Sequence, residues 1–261
     1  MSSEPKPTHS RRRASIEVVD ANVALDLATA QTYSENVFLF VPNIIGYTRV
    51  LLAALSMHYM SYHPKYCTLA YVVSCLLDAV DGQAARALGQ TSKFGAVLDM
   101  VTDRCTTSCL LCYLTSAYPK WTVLFQFLIA LDFSSHYMHM YSSLITGSRS
   151  HKTVQSDVSR ILRWYYNDST TLFLVCAGNE LFFVALYLMK WIKTPLDLDF
   201  LPPILSSLTW PQALAAISFP VFFIKNFLLN TVQLWKASKI LVGVDLAERA
   251  KAREEALARK R

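Results

Sequence analysis

The sequence predicts an all-α polytopic membrane protein with six transmembrane helices, preceded by a short interfacial helix. Two observations carry this prediction. Of the 261 residues, 53% are hydrophobic and only 17% are charged, whereas a soluble domain carries about a quarter charged residues. The shortage of charge is concentrated in the middle of the chain, where long apolar runs recur. This composition excludes a disordered protein, a nucleic-acid-binding domain and a disulfide-stapled secreted module.

The N-terminal region precedes the membrane domain. Residues 1–33 are polar and contain three consecutive arginines. They lack the apolar core and cleavage site of a signal peptide, so we expect a disordered cytosolic tail. Residues 34–42 are apolar and aromatic and end at Pro42, which is typical of a segment that lies flat at the membrane interface.

The apolar runs define a membrane domain over residues 34–241, and a charged cytosolic helix or tail follows over residues 242–261. Each run is long enough to cross a hydrocarbon core of about 30 Å at about 1.5 Å per residue. The six predicted spans cover residues 43–61, 66–88, 93–117, 121–146, 169–192 and 211–240.

The distribution of basic residues predicts that both termini are cytosolic. Eighteen of the 25 Lys and Arg residues lie in the N-terminal tail, the loops after spans two and four, and the C-terminal end, whereas four lie in the other loops. Because cytosolic loops of membrane proteins carry an excess of basic residues, this asymmetry explains the net charge of +6 better than nucleic-acid binding does.

Four aspartates lie inside predicted spans. Asp78 and Asp81 are three residues apart and share one face of the second span, and Asp99 and Asp103 are four apart and share one face of the third. The loop between the two spans is short, so the spans should be antiparallel neighbours and the two faces can meet. The helical rise places the group roughly 10–15 Å inside the membrane.

Four carboxylates at this depth repel one another and cost much to desolvate, so a cation must neutralise them. Oxygen ligands select a hard ion, and two Mg²⁺ or Mn²⁺ ions fit better than zinc. Two such ions clamp a phosphoryl group and stabilise its leaving oxygen. Gly82 allows close backbone approach, and Arg86 offers two donors to a phosphate.

The pattern Asp78-x2-Asp81-Gly82-x2-Ala85-Arg86-x8-Gly95-x3-Asp99-x3-Asp103 resembles the full signature of the CDP-alcohol phosphatidyltransferases. The likeness runs from about residue 34 to residue 250. It implies a polar active-site cavity that faces the cytosol, and a homodimer in the membrane of the endoplasmic reticulum. Residues 36–47, 76–105 and 176–181 further resemble eukaryotic members that transfer the phosphatidyl group of CDP-diacylglycerol to myo-inositol and release CMP.

The resemblance also implies roles for individual residues. The metal ligands would be the four aspartates, and Asp103 would also be the base that takes the proton of the inositol hydroxyl. CDP-diacylglycerol would contact Gly82, Arg86, Ser92 and Asn43. Many members of the family have threonine where this chain has Gly46.

A second polar group lies on the fourth span, where Asp132, His136 and His139 are spaced to share a face. They either form a polar wall that recognises the acceptor hydroxyls, or make a hydrogen-bonded helix contact or dimer interface. Lys152, in the basic loop after this span, either follows the general bias of cytosolic loops or lines the mouth of the cavity.

Two pairs of adjacent polar residues lie near the middle of the last two spans, namely Asn179 and Glu180 in the fifth and Lys225 and Asn226 in the sixth. We expect Glu180 of the fifth span to pair with Lys225 of the sixth, which would explain both charges structurally.

Two other functions are compatible with parts of the pattern. The signature indicates a CDP-linked donor but leaves the acceptor open, so glycerol 3-phosphate or serine are alternatives to inositol. Acidic residues inside spans also occur in divalent-cation channels and carriers. The positions of Gly82 and Arg86, and the lack of an inverted repeat in the sequence, argue against transport.

Overall fold

The computed structural model describes residues 36–146, 168–197 and 207–259. This part of the chain is helical and contains no strand, so the predicted all-α fold is confirmed. It forms six long helices: α1 Val41–Tyr59, α2 Pro64–Ala87, α3 Lys93–Ala117, α4 Thr122–Ile145, α5 Ser169–Trp191 and α6 Trp210–Ala258, the last with a π-helical turn at Ile224–Leu229. Short 3₁₀ helices lie at Val37–Leu39 and Pro119–Trp121.

Local sequence explains where several helices begin. Pro64 is the first residue of α2, where its missing N–H costs nothing. The Ser92 side chain caps α3 by accepting a hydrogen bond from the Gly95 N–H at 2.9 Å. Asp168 caps α5 in the same way, and hydrogen bonds from the Thr171 side chain and backbone hold the pKa of the Asp168 carboxyl below its ordinary value.

The helices closely match the six predicted apolar segments except at the C-terminus. There the predicted span and the predicted charged helix form one continuous helix, α6. Pro220 interrupts the backbone hydrogen bonding of this helix, and the π-helical turn follows shortly after it. Two segments, Thr170–Trp191 and Trp210–Ala258, are long and apolar enough by length and composition to cross a membrane.

Helix packing places α1 beside both α2 and α3, while α5 packs on the first part of α6 and α4 packs on its second part. The apolar core fills one end of this arrangement and includes the stacked rings of Phe182 and Phe222, whose centroids are 4.2 Å apart. Large apolar side chains such as Leu51, Val123 and Ile217 point outwards and are more than two-thirds exposed. The buried polar residues form one group around the aspartates of α2 and α3 and another between α4 and α6.

Candidate active site

Arg49 of α1 lies at the centre of the four aspartates. Its side chain is 2% exposed. Its Nη1 donates to Asp81 Oδ2 at 2.6 Å and to Asp99 Oδ1 at 2.8 Å. Its Nη2 lies 2.8 Å from Asp78 Oδ1 and also donates to Asp103 Oδ1. One guanidinium from α1 therefore joins both aspartate pairs, one on α2 and one on α3.

The aspartates provide an oxygen-only donor set. Carboxylate oxygens of Asp78, Asp99 and Asp103 all lie within 4.8 Å of one another, while Asp81 points at Arg49 and is 7% exposed. Four carboxylates face one guanidinium, so the cluster keeps an excess of negative charge in a largely buried place. These residues fit hard divalent cations, which take carboxylate ligands and supply the missing positive charge.

Gly46 lies three residues before Arg49, where α1 contacts Leu98 of α3. A Cβ atom at Gly46 would lie 2.9 Å from Leu98 Cδ2 of α3, which is closer than carbon atoms approach. The glycine at this position therefore lies in a tight contact between these two helices. The Arg49 carbonyl oxygen also accepts a hydrogen bond from Ser74 of α2 at 3.2 Å.

A second group of predicted residues meets where α1 and α3 begin. Asn43 is 1% exposed, and its Nδ2 donates to the Val37 carbonyl oxygen at 2.6 Å. A Cβ atom at Gly95 would lie 2.6 Å from Asn43 Oδ1 and 3.0 Å from Ser92 Oγ. The glycine of the sequence pattern is therefore needed here because the Asn43 amide and the Ser92 hydroxyl fill the space beside it.

Gly82 and Arg86 lie together on α2. The nearest side-chain atom to a Cβ at Gly82 would be Arg86 Nη1, at 3.6 Å, so the surface beside Gly82 is open apart from this guanidinium. Arg86 itself is exposed. This end of α2 has two features that suit the binding of a phosphate group. The backbone at Gly82 carries no side chain, and both terminal nitrogens of the Arg86 guanidinium lie beside it.

Asp132 of α4 is 6% exposed and accepts hydrogen bonds from several buried donors. Arg104 Nη1 donates to both of its carboxylate oxygens at 2.9 Å, while Lys225 Nζ and Asn230 Nδ2 donate to Oδ1 at 3.1 and 3.2 Å. Arg104 Nη2 also lies 3.4 Å from Asp103 Oδ2. Asp132 is therefore connected to the aspartate cluster through one guanidinium.

The prediction that Lys225 pairs with Glu180 is wrong. Lys225 pairs with Asp132, because the π-helical turn of α6 directs this lysine towards α4. Glu180 instead accepts hydrogen bonds from Tyr71, Thr107 and Asn179.

The remaining predicted acceptor residues have different surroundings. His136 Nδ1 lies 2.8 Å from the Asp132 carbonyl oxygen and 3.5 Å from Asp132 Oδ1. The His139 side chain is half-buried one turn further along α4, where its carbonyl oxygen accepts a hydrogen bond from Ser142 at 2.9 Å. Lys152 lies outside the described residues.

Sequence reasoning missed two arginines of the site. Arg49 and Arg104 are isolated basic residues within apolar segments, and that position alone indicates a buried partner or a function. The spacing rules that grouped the aspartates predict which residues share a face of one helix. They do not predict contacts between helices, which is what both arginines make.

Comparisons with known proteins agree with this site. A model of the CDP-alcohol phosphatidyltransferase family matches residues 39–196, which include all four aspartates. A protein of Schizosaccharomyces pombe named CDP-diacylglycerol–inositol 3-phosphatidyltransferase is 51% identical over 227 residues, covering 84% of this chain and 95% of its own length. Proteins of the same name from Saccharomyces cerevisiae and Homo sapiens are 46% and 42% identical, over 81% and 83% of this chain and 90% and 98% of their own lengths.

No solved structure matches the chain. The family model nevertheless covers more than half of its length, and the relatives align along nearly all of their own lengths. With the aspartates of the family pattern brought together around Arg49, the chain belongs to the CDP-alcohol phosphatidyltransferase family.

Proposed function

We propose that the chain is a CDP-diacylglycerol–inositol 3-phosphatidyltransferase, which transfers the phosphatidyl group of CDP-diacylglycerol to myo-inositol and yields phosphatidylinositol and CMP. The relatives that carry this name are 42–51% identical to the chain over most of its length. The observation that carries the proposal is the convergence of the aspartates of α2 and α3 on one point.

The four aspartates are proposed to hold two Mg²⁺ or Mn²⁺ ions. The approach of Asp78, Asp99 and Asp103 oxygens to within 4.8 Å of one another supports a shared ion site. When bound, such ions polarise the phosphoryl group and neutralise the charge on the departing nucleotide oxygen. The Arg49 guanidinium forms ion pairs with all four aspartates and so fixes the orientation of their carboxylates relative to one another.

The donor nucleotide is proposed to bind against the ends of α1, α2 and α3 that carry Asn43, Gly82, Arg86 and Ser92. The exposed Arg86 guanidinium beside the bare backbone of Gly82 supports contact with a phosphate, because a planar guanidinium donates two parallel hydrogen bonds to phosphate oxygens. Asn43 and Ser92 lie next to each other at this end of the site, where an amide and a hydroxyl can orient the nucleotide.

Asp103 is proposed to be the general base. The inositol hydroxyl oxygen forms a bond to the β-phosphorus, the bond from that phosphorus to the bridging oxygen of CMP breaks, and the hydroxyl proton passes to Asp103. Arg49 holds Asp103 Oδ1, whereas Oδ2 has the longer contact of 3.4 Å to Arg104. This leaves Oδ2 as the oxygen that can receive a proton.

The acceptor pocket is proposed to include Asp132, His136, His139 and Lys152. Support comes from the buried contact that runs from Asp132 through Arg104 to Asp103, which places this face of α4 next to the proposed base. The hydrogen bonds from Lys225 and Asn230 to Asp132 also join α4 to α6. Asp132 therefore has a structural role whether or not it contacts the acceptor.

In the membrane, we propose six spans, both termini in the cytosol, a polar cavity that opens to the cytosol, and a homodimer in the endoplasmic reticulum. The bias of basic residues towards the loops after spans two and four supports this orientation. The exposed apolar side chains on the outer surfaces of the helices fit contact with lipid.

An acceptor panel tests the proposed function. Membranes from cells that express the chain receive CDP-diacylglycerol, Mg²⁺ and one of three labelled acceptors, namely myo-inositol, serine or glycerol 3-phosphate. We expect labelled lipid from inositol alone. Lipid product from serine or glycerol 3-phosphate would agree with the family assignment but show that inositol is not the acceptor. Metal flux across the same membranes without any lipid product would indicate a cation carrier instead.

A further inference from the structure

We propose that Glu180 is a positioning residue that sets the spacing of the two aspartate-bearing helices, α2 and α3. This inference rests on the proposed metal site. Its basis is a partly buried hydrogen-bonded bridge that α5 makes to both helices, a short distance along each helix from the aspartates.

The bridge consists of one carboxylate and its donors. Glu180 Oε2 accepts a hydrogen bond from the Tyr71 hydroxyl of α2 at 2.6 Å. Glu180 Oε1 accepts one from Thr107 Oγ1 of α3 at 3.1 Å. Tyr71 and Thr107 are 3% and 7% exposed, and the Glu180 side chain between them is half-buried. A single side chain therefore links α2 to α3.

The bridge is close to the aspartates along both helices. Thr107 follows Asp103 by four residues on α3, which is about 6 Å along the helix axis. Tyr71 precedes Asp78 by seven residues on α2, which is about 10 Å. Because the two helices run in opposite directions, both contacts lie on the same side of the aspartate cluster. A shift of Glu180 would therefore tilt or slide one aspartate pair relative to the other.

The packing of the helices makes such a bridge necessary. Within the described ranges, α2 and α3 each pack against α1 and α5 more than against each other. The separation of the Asp78 and Asp103 oxygens then depends on side chains from α1 and α5 that contact both helices. Arg49 is that side chain on α1, and Glu180 is that side chain on α5. Metal ligands must be held to within a few tenths of an ångström, so loss of one bridge should weaken ion binding.

The hydrogen-bond donors of Glu180 are neutral, whereas Asp81 and Asp132 accept hydrogen bonds from arginines. Asn179 Nδ2 donates to Glu180 Oε1 at 3.2 Å, and Asn179 Oδ1 in turn accepts from Asn226 Nδ2 of the π-helical turn at 2.5 Å. A carboxylate that accepts hydrogen bonds from hydroxyls and an amide gains less from them than one that accepts from a cation. Asn179 and Asn226 also join this carboxylate to α6, so a third helix helps to hold its position.

The test compares two buried tyrosines. Tyr71→Phe removes the hydroxyl that links Glu180 to α2. Tyr187→Phe removes a hydroxyl of similar burial, 2% exposed, that donates to the Met60 carbonyl oxygen at 2.9 Å and also interacts with Cys67 near the start of α2. The Tyr187 hydroxyl has no hydrogen bond to Glu180, and phenylalanine keeps the ring contact with Tyr113 of α3. Mn²⁺ binding to the purified full chain, without substrate, is measured by electron paramagnetic resonance. The Mg²⁺ concentration for half-maximal activity is measured in parallel.

We expect Tyr71→Phe to raise the Mn²⁺ dissociation constant about tenfold, the lower end of the effect of groups that orient metal ligands. Tyr187→Phe should leave it at the wild-type value. Glu180→Gln should bind Mn²⁺ nearly as well as wild type, because its amide can still accept from Thr107 and can donate to the Tyr71 oxygen, whereas Glu180→Ala should bind at least as weakly as Tyr71→Phe. If Glu180→Ala does not fold, the two tyrosine variants and Glu180→Gln decide the question.

The outcomes separate this inference from the proposed function. Equal Mn²⁺ affinity in Tyr71→Phe and Tyr187→Phe, with wild type binding Mn²⁺, would overturn the positioning role and leave the metal site intact. Absence of Mn²⁺ binding in the wild-type chain would overturn the metal site and the positioning role together.

Discussion

Arg49 Nη1 of α1 lies 2.6 Å from Asp81 Oδ2 of α2, and the same nitrogen lies 2.8 Å from Asp99 Oδ1 of α3. This contact joins three helices at a point where all side chains are largely withdrawn from solvent. The cluster therefore depends on Arg49 both for its shape and for partial neutralisation of its charge.

Replacing Arg49 tests this dependence. Arg49→Met leaves four carboxylates without their buried cation, and removal of one partner from a buried ion pair costs about 3–5 kcal/mol. We expect a lower melting temperature without metal, and a larger stabilisation by added Mn²⁺ than wild type shows. Thermal unfolding with and without Mn²⁺ measures both effects.

The matched control for Arg49 is Lys251→Met, which removes an exposed cation whose Nζ lies 4.0 Å from Glu255. Surface pairs contribute little, so its melting temperature should not change. A melting temperature of Arg49→Met equal to that of Lys251→Met would contradict a structural role for the central guanidinium.

Gly95→Ala tests the packing beside Asn43. The added methyl group would lie 2.6 Å from Asn43 Oδ1, so the amide must move away from the proposed nucleotide site. We expect a rise of at least tenfold in the KM for CDP-diacylglycerol and little change in the KM for inositol.

Gly243→Ala is the control for this change. Apart from the adjacent backbone of α6, no described atom lies within 4 Å of a Cβ at Gly243. Alanine should therefore stabilise the helix by about 0.5–1 kcal/mol and leave both KM values unchanged. If Gly95→Ala, like Gly243→Ala, leaves the KM for CDP-diacylglycerol unchanged, Asn43 does not orient the donor.

Asp103→Asn tests the general base. The amide keeps the size of the side chain but cannot take a proton, and general-base catalysis contributes about 10²–10⁴-fold to the rate. We expect kcat to fall by at least this factor. Asp245→Asn, an exposed aspartate of α6, provides the control and should retain full activity. Near-normal turnover in Asp103→Asn would exclude the base role.

A double substitution tests the pairing of Asp132 with Lys225. Asp132→Asn alone leaves the buried ammonium of Lys225 without its carboxylate, which should lower the melting temperature of the protein. Adding Lys225→Met should recover part of the loss, because the unpaired charge is removed. Strictly additive losses in the double variant would show that the two side chains are not coupled.

The sequence predicted the helices well because length and hydropathy determine them locally. It also predicted that Asp78 and Asp81 would face Asp99 and Asp103, since spacing within a helix defines a face. The short loop led to the expectation that α2 and α3 would pack directly on each other, which is wrong, because each of them packs against α1 and α5 more than against the other. The sequence analysis began the second span at residue 66, whereas α2 begins at Pro64, where a missing N–H is tolerated.

The contacts between distant helices could not be predicted in the same way. Periodicity does not indicate which helix faces Lys225, and the expected partner Glu180 contacts Tyr71 and Thr107 instead. The π-helical turn that redirects Lys225 has no clear pattern in the sequence apart from the nearby Pro220. Arg49 was recognisable as a charge within an apolar span, but its four partners follow only from the packing of three helices.

The most direct test of the account is the stoichiometry of the reaction catalysed by the purified chain. CDP-diacylglycerol, labelled myo-inositol and Mg²⁺ are supplied, and labelled phosphatidylinositol and released CMP are measured together. The account predicts equal amounts of both products, with none formed after chelation of the metal or in Asp103→Asn. Release of CMP that is independent of inositol, or lipid product that persists after chelation, would contradict it.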